Sequence, residues 1–188
     1  MRLYVIRHGE SENNLKKRWT GWYDAQLTEK GRADALKARE QLKGISFDAV
    51  YSSDLVRAVD TAKLALPGCN PETTPLLREI CLGSLENQPA TIPGGEAGAQ
   101  IKKEGYASVG GESYAQFGQR LRDFLKQVEQ SGHETAAAFC HGGCMRTLLD
   151  IVMGQIMPSG KFICNNCAMA VFEYADENWR LHSWINLD

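Results

Sequence analysis

Two short apolar runs, far apart in the chain, each end at a histidine that is followed by glycine. RLYVI (2–6) leads through Arg7 into His8, and TAAAFC (135–140) leads into His141. Short, mostly apolar runs of this kind are typical of buried strands in a parallel sheet. Because ligands bind at the carboxyl ends of parallel strands, we expect both histidines to face one crevice.

Strand and helix patterns alternate along the rest of the chain, which is typical of an α/β fold. Helices are predicted from Thr28, after Ser53 or Asp54, from Ser113 and over 144–154, and further strands over 47–53, into Leu76 and Leu77, and in two C-terminal runs. Glycine and proline interrupt the region at about 84–110, so we predict an irregular cap there with one short helix, Glu96 to Glu104. Residues 1–188 are predicted to form a single domain that carries this cap.

Composition and charge limit the partners and the location that we expect for this protein. The 188 residues carry a net charge of −2 and a pI near 6.1, so no overall field attracts nucleic acid or a membrane surface. The first apolar run is too short for a signal peptide, and no later one reaches membrane-spanning length. We therefore expect a cytoplasmic protein whose six cysteines are free thiols.

The residues around His8 suit nucleophilic attack on phosphorus. Imidazole attacks when it is neutral and held through its other nitrogen. The neighbouring cation Arg7 disfavours imidazolium, and its planar guanidinium also fits phosphate oxygens. Glycines let backbone amides approach an anion, and the helix after His141 directs its positive end to the same place. The pattern predicts a phosphate site with His8 as nucleophile.

Several motifs carry a resemblance to a known family. RHGESENN (7–14) resembles the signature of the histidine phosphatase superfamily, which includes the phosphoglycerate mutase-like enzymes. The similarity continues, in order, through TGWYDAQLTEKGRADA (20–35), YSSDLVRAVDTA (51–62), LREICLGSLEN (77–87), GGES (110–113) and HGG with Arg146. The resemblance implies a three-layer α/β sandwich with a mostly parallel central sheet and a short cap insertion. It also implies metal-independent chemistry without a cofactor.

The resemblance assigns roles to individual residues. His8 would become phosphohistidine, and Glu79 would protonate the leaving oxygen and then activate water. Glu72 and Glu86 are the competing carboxylates, and we expect Glu79 to be the acid. Charged groups would surround the phosphoryl oxygens: Arg7, Arg57 and His141. Further phosphate contacts would come from Asn14, Thr20, Gly21 and Gly142.

These features predict a phosphatase that hydrolyses small phosphorylated metabolites through phosphohistidine. The cap has only two cations, Lys102 and Lys103, so we expect water to reach the intermediate. A phosphoglycerate mutase-type transfer is the alternative within the family. The partner is a small-molecule phosphate ester, with neither nucleic acid nor membrane, and an oligomer remains open. Three aromatic residues near the mouth either stack on the substrate or pack the loop: Trp19, Trp22 and Tyr23.

Two readings from other classes remain. Cys140-x3-Cys144 and Cys164-x2-Cys167 have spacings found in zinc sites, although buried free cysteine also serves as a small apolar residue. A non-catalytic phosphate-binding module would need no general acid together with two histidines. We therefore favour the enzyme over either module.

Overall fold

Six strands form one sheet in the computed structural model, which describes residues 1–154 and 162–187. The strands are β1 (Arg2–Arg7), β2 (Ala49–Ser53), β3 (Glu72–Thr74), β4 (Thr135–Cys140), β5 (Met169–Ala175) and β6 (Asn178–Ile185). Their order across the sheet is β3-β2-β4-β1-β5-β6. The first four are parallel, and β5 and β6 are antiparallel, which confirms the mostly parallel sheet.

The central strand pair explains how the two histidines meet. β1 and β4 are short and apolar, and they pair in parallel with Arg7 opposite Cys140. The next residues, His8 and His141, therefore leave the sheet side by side at its carboxyl edge. The backbone N–H of His8 continues the ladder by donating to the carbonyl of Cys140 at 2.9 Å. The predicted crevice lies at this point.

Helices cover both faces of the sheet. They are α1 (Glu12–Leu15), α2 (Glu29–Leu42), α3 (Val56–Ala65), α4 (Gly95–Glu104), α5 (Tyr114–Gln130) and α6 (Gly142–Val152). Side chains of α5 and α6 pack with Leu3 and Val5 in one core, whereas α2 and α3 pack with Ile6 on the opposite face. Alternate residues of a strand point to opposite faces, so one strand serves both cores. The three-layer α/β sandwich is confirmed.

Several predicted boundaries are wrong. The third strand ends at Thr74 instead of running into Leu76 and Leu77, and a 3-10 turn covers Pro75–Leu77. Proline has no N–H for the ladder, and the Thr74 hydroxyl accepts from the Leu76 amide at 3.2 Å, which turns the chain. α6 begins at Gly142, two residues before the predicted start at Cys144. α6 ends at Val152, two residues before the predicted end at Gly154.

The predicted cap segment contains α4, one residue longer than the expected helix from Glu96. Its Ile101 is buried and joins the same core as α5 and α6, as does Tyr106 just beyond the helix. These contacts fix the segment over the carboxyl edge of the sheet. Across residues 1–154 and 162–187, we find no helix whose length and apolar character would let it cross a bilayer.

Candidate active site

A cavity of about 480 Å³ opens at the carboxyl ends of β1 and β4. Seven of the nine predicted site residues line it: Arg7, His8, Asn14, Thr20, Gly21, Arg57 and Glu79. The other two, His141 and Gly142, are buried and do not line it. Gly143, the next residue of α6, takes a place in the lining.

His8 is held in the form that a nucleophile needs. Its Nδ1 donates to the carbonyl of Gly9 at 2.6 Å. A carbonyl oxygen only accepts, so Nδ1 carries the ring proton and the lone pair lies on Nε2. Burial, followed by the positive charges of Arg57 and Arg7, lowers the pKa of His8 well below its usual value of 6.5. The ring is therefore neutral at physiological pH.

His141 stands beside His8, with ring centroids 5.1 Å apart. Its Nε2 lies 2.9 Å from the Ser53 hydroxyl, which already accepts a hydrogen bond from the Leu55 amide. We assign the ring proton to Nδ1, with Ser53 donating to Nε2; Nδ1 is buried and has no hydrogen-bond partner. Burial, then Arg57 and His8, lower the pKa of His141 well below its usual range. It is a neutral donor.

Two arginines supply positive charge, and each has a buried Nε without a partner. The Arg57 Nη atoms donate to the carbonyls of Tyr23 at 2.9 Å and Gly21 at 2.7 Å, and Arg7 Nη1 donates to the Cys164 carbonyl. The Nε atoms of both arginines are buried without a partner. Burial lowers the pKa of Arg57 to about 10, so its guanidinium stays charged at neutral pH.

Glu79 faces the cavity from the segment after Pro75–Leu77. Its two carboxylate oxygens accept from the amides of Ile80 and Gly143, each at 2.9 Å. A Cβ added at Gly143 would lie 2.0 Å from Glu79 Oε1, so only glycine allows this approach. The competing Glu86 instead accepts from the amides of Trp22 and Leu82, and Glu72 points away in β3.

Asn14 has a donor free for the cavity. Its side-chain oxygen accepts from the amide of Ser11 at 3.1 Å and from the Asn166 side chain at 3.3 Å, which leaves its amide hydrogens available. Asn166 also donates to the His8 carbonyl at 3.1 Å, so it ties the nucleophile to this loop. No role for Asn166 was predicted, because it lies more than 150 residues from both partners.

The three aromatic residues near the mouth differ in their roles. Trp19 lines the cavity, and its ring meets that of Tyr106 edge-on at 6.3 Å. Trp22 lies outside the lining: its indole N–H donates to the Glu79 carbonyl at 2.7 Å, and Arg78 stacks on its ring. Tyr23 is largely exposed and contributes its backbone carbonyl to Arg57. Loop packing therefore accounts for Trp22 and Tyr23.

The cavity is also lined by cationic side chains that were not among the predicted site residues. Neither Lys102 nor Lys103 of α4 contributes to the lining, and Lys103 pairs with its neighbour Glu104 at 3.2 Å. Three other cationic side chains line the cavity instead: Lys17, Arg18 and Arg146. Arg146 belongs to the HGG segment of the family resemblance, whereas nothing in their spacing marks Lys17 or Arg18.

The four cysteines whose sequence spacing resembles a zinc site do not lie together at one place. Cys164 packs with Cys140 and Cys144 in the core below α5 and α6, whereas Cys167 lies in the core on the opposite face of the sheet. All six are free thiols. Burial raises the pKa of Cys167 to about 12 and that of Cys140 well above its usual range. Within the described ranges, no three histidine, cysteine or acidic side chains cluster suitably for a metal ion.

Known proteins resemble this chain in sequence and in fold. "Broad-specificity phosphatase YOR283W" of Saccharomyces cerevisiae is 29% identical, covering 95% of this chain and 81% of that protein. A "2,3-bisphosphoglycerate-dependent phosphoglycerate mutase" of Brucella ovis is 35% identical over 78% of this chain and 79% of its own. Among solved structures, Bacillus stearothermophilus YhfR has a TM-score of 0.85 at 26% identity, covering 96% of this chain and 95% of that one.

The family match spans almost the whole chain. Residues 3–187 match the family described as histidine phosphatase superfamily (branch 1). The match includes both histidine motifs, both arginines and Glu79, which the fold gathers around one cavity. This protein belongs to the histidine phosphatase superfamily.

Proposed function

We propose that this enzyme hydrolyses phosphate monoesters of small metabolites through a phosphohistidine at His8. One observation carries the proposal. Within the described residues, three buried side-chain nitrogens lack a hydrogen-bond partner: Arg7 Nε, Arg57 Nε and His141 Nδ1. A buried donor without a partner costs about 1–3 kcal/mol, so three of them around one nucleophile favour a bound anion. A phosphoryl group is the anion that this nucleophile would attack.

The first step would form the covalent intermediate. The lone pair on His8 Nε2 attacks phosphorus, and the bond between phosphorus and the ester oxygen breaks. Glu79, in its protonated form, gives its proton to the leaving oxygen. The free donors of Arg7, Arg57 and His141 stabilise the phosphoryl oxygens as charge develops on them. No redox partner is involved.

The second step would return the enzyme to its starting state. Glu79, now a carboxylate, takes a proton from water while the water oxygen attacks phosphorus. The bond between phosphorus and Nε2 breaks, and its electron pair returns to His8. Inorganic phosphate leaves, and Glu79 is protonated again. One group acts as acid and then as base, as in other double-displacement reactions.

Mutase-type transfer is the second candidate, because the cations at the cavity mouth could retain an acidic intermediate. Several relatives also carry the name phosphoglycerate mutase, including one at 32% identity among the solved structures. Assays for release of phosphate and for movement of phosphate between the hydroxyl groups of phosphoglycerate separate the two. We expect release to dominate, whereas isomerisation faster than release would favour the mutase.

A panel of phosphorylated metabolites and one aryl phosphate tests the proposal. Wild type should release phosphate, His8→Ala should release none above background, and Glu79→Gln should be strongly slowed on alkyl esters. Unchanged turnover by His8→Ala would exclude His8 as the nucleophile.

We also predict that the chain is one domain with a small cap at about 84–110. Limited proteolysis of the intact protein can test this prediction.

A further inference from the structure

The cavity carries more positive charge than one phosphoryl group requires. Among the described residues, one carboxylate, that of Glu79, lines it together with five cationic side chains: Arg7, Lys17, Arg18, Arg57 and Arg146. A phosphate monoester carries about two negative charges near neutrality. Arg7 and Arg57, next to the nucleophile, match these two charges. Three cations remain, and we call Lys17, Arg18 and Arg146 the outer cations.

The outer cations keep their charge available. Within the described residues, neither Lys17 nor Arg146 forms an ion pair with an acidic side chain. Arg18 donates to the backbone carbonyl of Asn87 at 2.9 Å, which fixes its position without neutralising it. Like charges that face one cavity repel each other, so this arrangement favours an anion between them.

Their positions trace a path from the phosphate site to the mouth. A Cβ added at Gly142 would lie 3.3 Å from Arg7 Nε and 3.5 Å from Arg146 Nη1, so Arg146 stands next to the inner site. Lys17 and Arg18 belong to the rim, where Arg18 bridges Pro89 and the Lys17 carbonyl accepts from the amide of residue 90 at 2.9 Å. Backbone pairing therefore fixes where these two cations lie.

Part of the remaining wall is apolar, beside the polar side chains of Asn13, Asn14 and Thr20. The apolar part consists of five side chains: Trp19, Ile80, Leu82, Ala90 and Tyr106. An apolar wall suits the uncharged body of a ligand, whereas charged groups fix its orientation. The cavity thus combines a phosphate site, apolar surface and three further cations.

We propose that the outer cations form an anion subsite, which binds a second acidic group of the substrate, a carboxylate or phosphate remote from the transferred phosphoryl. The subsite selects esters with an acidic group at both ends over esters with one. This inference rests on the proposed function, because it defines the substrate class of the same cavity.

Binding of two phosphonates tests the subsite without requiring turnover. Benzylphosphonate and 4-carboxybenzylphosphonate differ only in the remote carboxylate, and calorimetry gives both affinities. We expect wild type to bind the carboxylated compound about tenfold more tightly, as for charge-assisted hydrogen bonds. The preference should shrink as salt is added, because the rim is exposed.

Matched variants assign the preference to these residues. Lys17 has a φ of 51°, a left-handed conformation that asparagine tolerates, so Lys17→Asn should fold normally. It should reduce the preference about threefold or more, as should Arg146→Gln. Lys16→Asn removes the same charge from the neighbouring residue, which pairs with Glu12 outside the cavity, and should keep the preference.

The outcomes separate this proposal from the proposed function. Equal affinity of wild type for the two phosphonates, or a preference that survives both Lys17→Asn and Arg146→Gln, would overturn the subsite while leaving the phosphatase intact. Failure of both compounds to bind would overturn the phosphate site and the subsite together. Hydrolysis of benzyl phosphate by wild type and by His8→Ala, measured in parallel, tests the phosphatase alone.

Discussion

Individual donors decide what the site can bind, and Arg57 is the most informative case. Two of its nitrogens hold the loop at Gly21 and Tyr23, while the buried Nε has no partner and is free for phosphate. Lysine has a single nitrogen and cannot do both. We expect Arg57→Lys to lower kcat/KM by about 10²–10³-fold, as does loss of one transition-state donor elsewhere. Arg39→Lys on exposed α2 is the control, and equal kinetics for the two variants would refute the role.

Gly143 tests how Glu79 is held. The added Cβ of Gly143→Ala would lie 2.0 Å from the carboxylate and must displace it. We expect kcat for alkyl phosphates to fall at least about tenfold, because proton transfer depends on hydrogen-bond geometry. At Gly118 the nearest atom to a new Cβ is the mobile end of Arg122 at 3.2 Å, so Gly118→Ala is the control. Wild-type kcat in Gly143→Ala would argue against Glu79 as the acid.

Whether a site residue could be predicted depends on whether it lies in a recognisable motif or is placed by contacts with distant residues. His8, His141 and Glu79 could be predicted because they lie in motifs with a chemical meaning. Lys17 and Arg18 could not, because they enter the cavity only through backbone pairing with residues about 70 positions away. Which nitrogen of an arginine stays free also depends on carbonyls from distant loops, so no local pattern encodes it.

At the scale of elements, α5 holds the segment that carries Glu79. Arg120, on this helix, donates to the carbonyls of Pro75, Leu76, Arg78 and Glu79 and forms a two-nitrogen pair with Glu112. Glu112 in turn accepts from the Cys81 amide at 2.9 Å. One guanidinium therefore ties four backbone carbonyls of this segment to α5. It is a positioning residue for Glu79.

Removal of this guanidinium should affect both stability and catalysis. Arg120→Gln removes six hydrogen bonds to backbone carbonyls and to the Glu112 carboxylate, and we expect a loss of about 2–4 kcal/mol in the free energy of unfolding. We also expect kcat to fall more than KM rises. Urea denaturation and steady-state kinetics measure the two effects, with Lys126→Gln on the exposed face of α5 as control. A stability loss with unchanged kcat would reduce Arg120 to a structural role.

The cap of α3 shows why local rules fail near a site. Serine and aspartate are strong N-cap residues, which favoured Ser53 or Asp54, yet the helix begins after Leu55. Ser53 bonds to His141, and Asp54 pairs with Arg78 at 2.6 Å. The first helical amide is satisfied instead by Asp24, at 2.8 Å from another loop. Long helices such as α2 and α5 were predictable because Thr28 and Ser113 cap them as expected.

For the whole molecule, the two buried histidines couple stability to pH. Their pKa values in the folded state lie well below 6.5, whereas those of the unfolded chain lie near it. Below that pH the unfolded state binds more protons, so stability falls as pH falls from 6.5 towards the folded pKa values. Each histidine contributes up to about 1.4 kcal/mol per pH unit in this window.

Urea denaturation at about pH 8 and about pH 5.5 measures this coupling. We expect His8→Asn to lose less stability than wild type between the two conditions, because one of the two histidines no longer titrates. His182→Gln, on the exposed strand β6, should behave as wild type does. Carboxylates contribute equally to all three proteins, so the difference isolates His8. An identical pH dependence for His8→Asn and wild type would contradict the burial of a neutral imidazole.

The overall architecture was predictable because it follows from apolar runs and their order. Parallel pairing of β1 with β4 required only two short apolar strands that each lead into a histidine. The floor of the cavity follows from that topology. The walls of the cavity do not follow from the topology, because they depend on contacts made by irregular segments such as the one around α4.

Trapping of the covalent intermediate tests the central claim most directly. The enzyme is mixed with a phosphate ester, quenched in alkali, in which phosphohistidine survives, and mapped by mass spectrometry. We predict one phosphoryl group on His8, more of it in Glu79→Gln than in wild type when an aryl phosphate is used, and none in His8→Ala. A phosphoryl group on another residue, or full turnover by His8→Ala, would contradict the account.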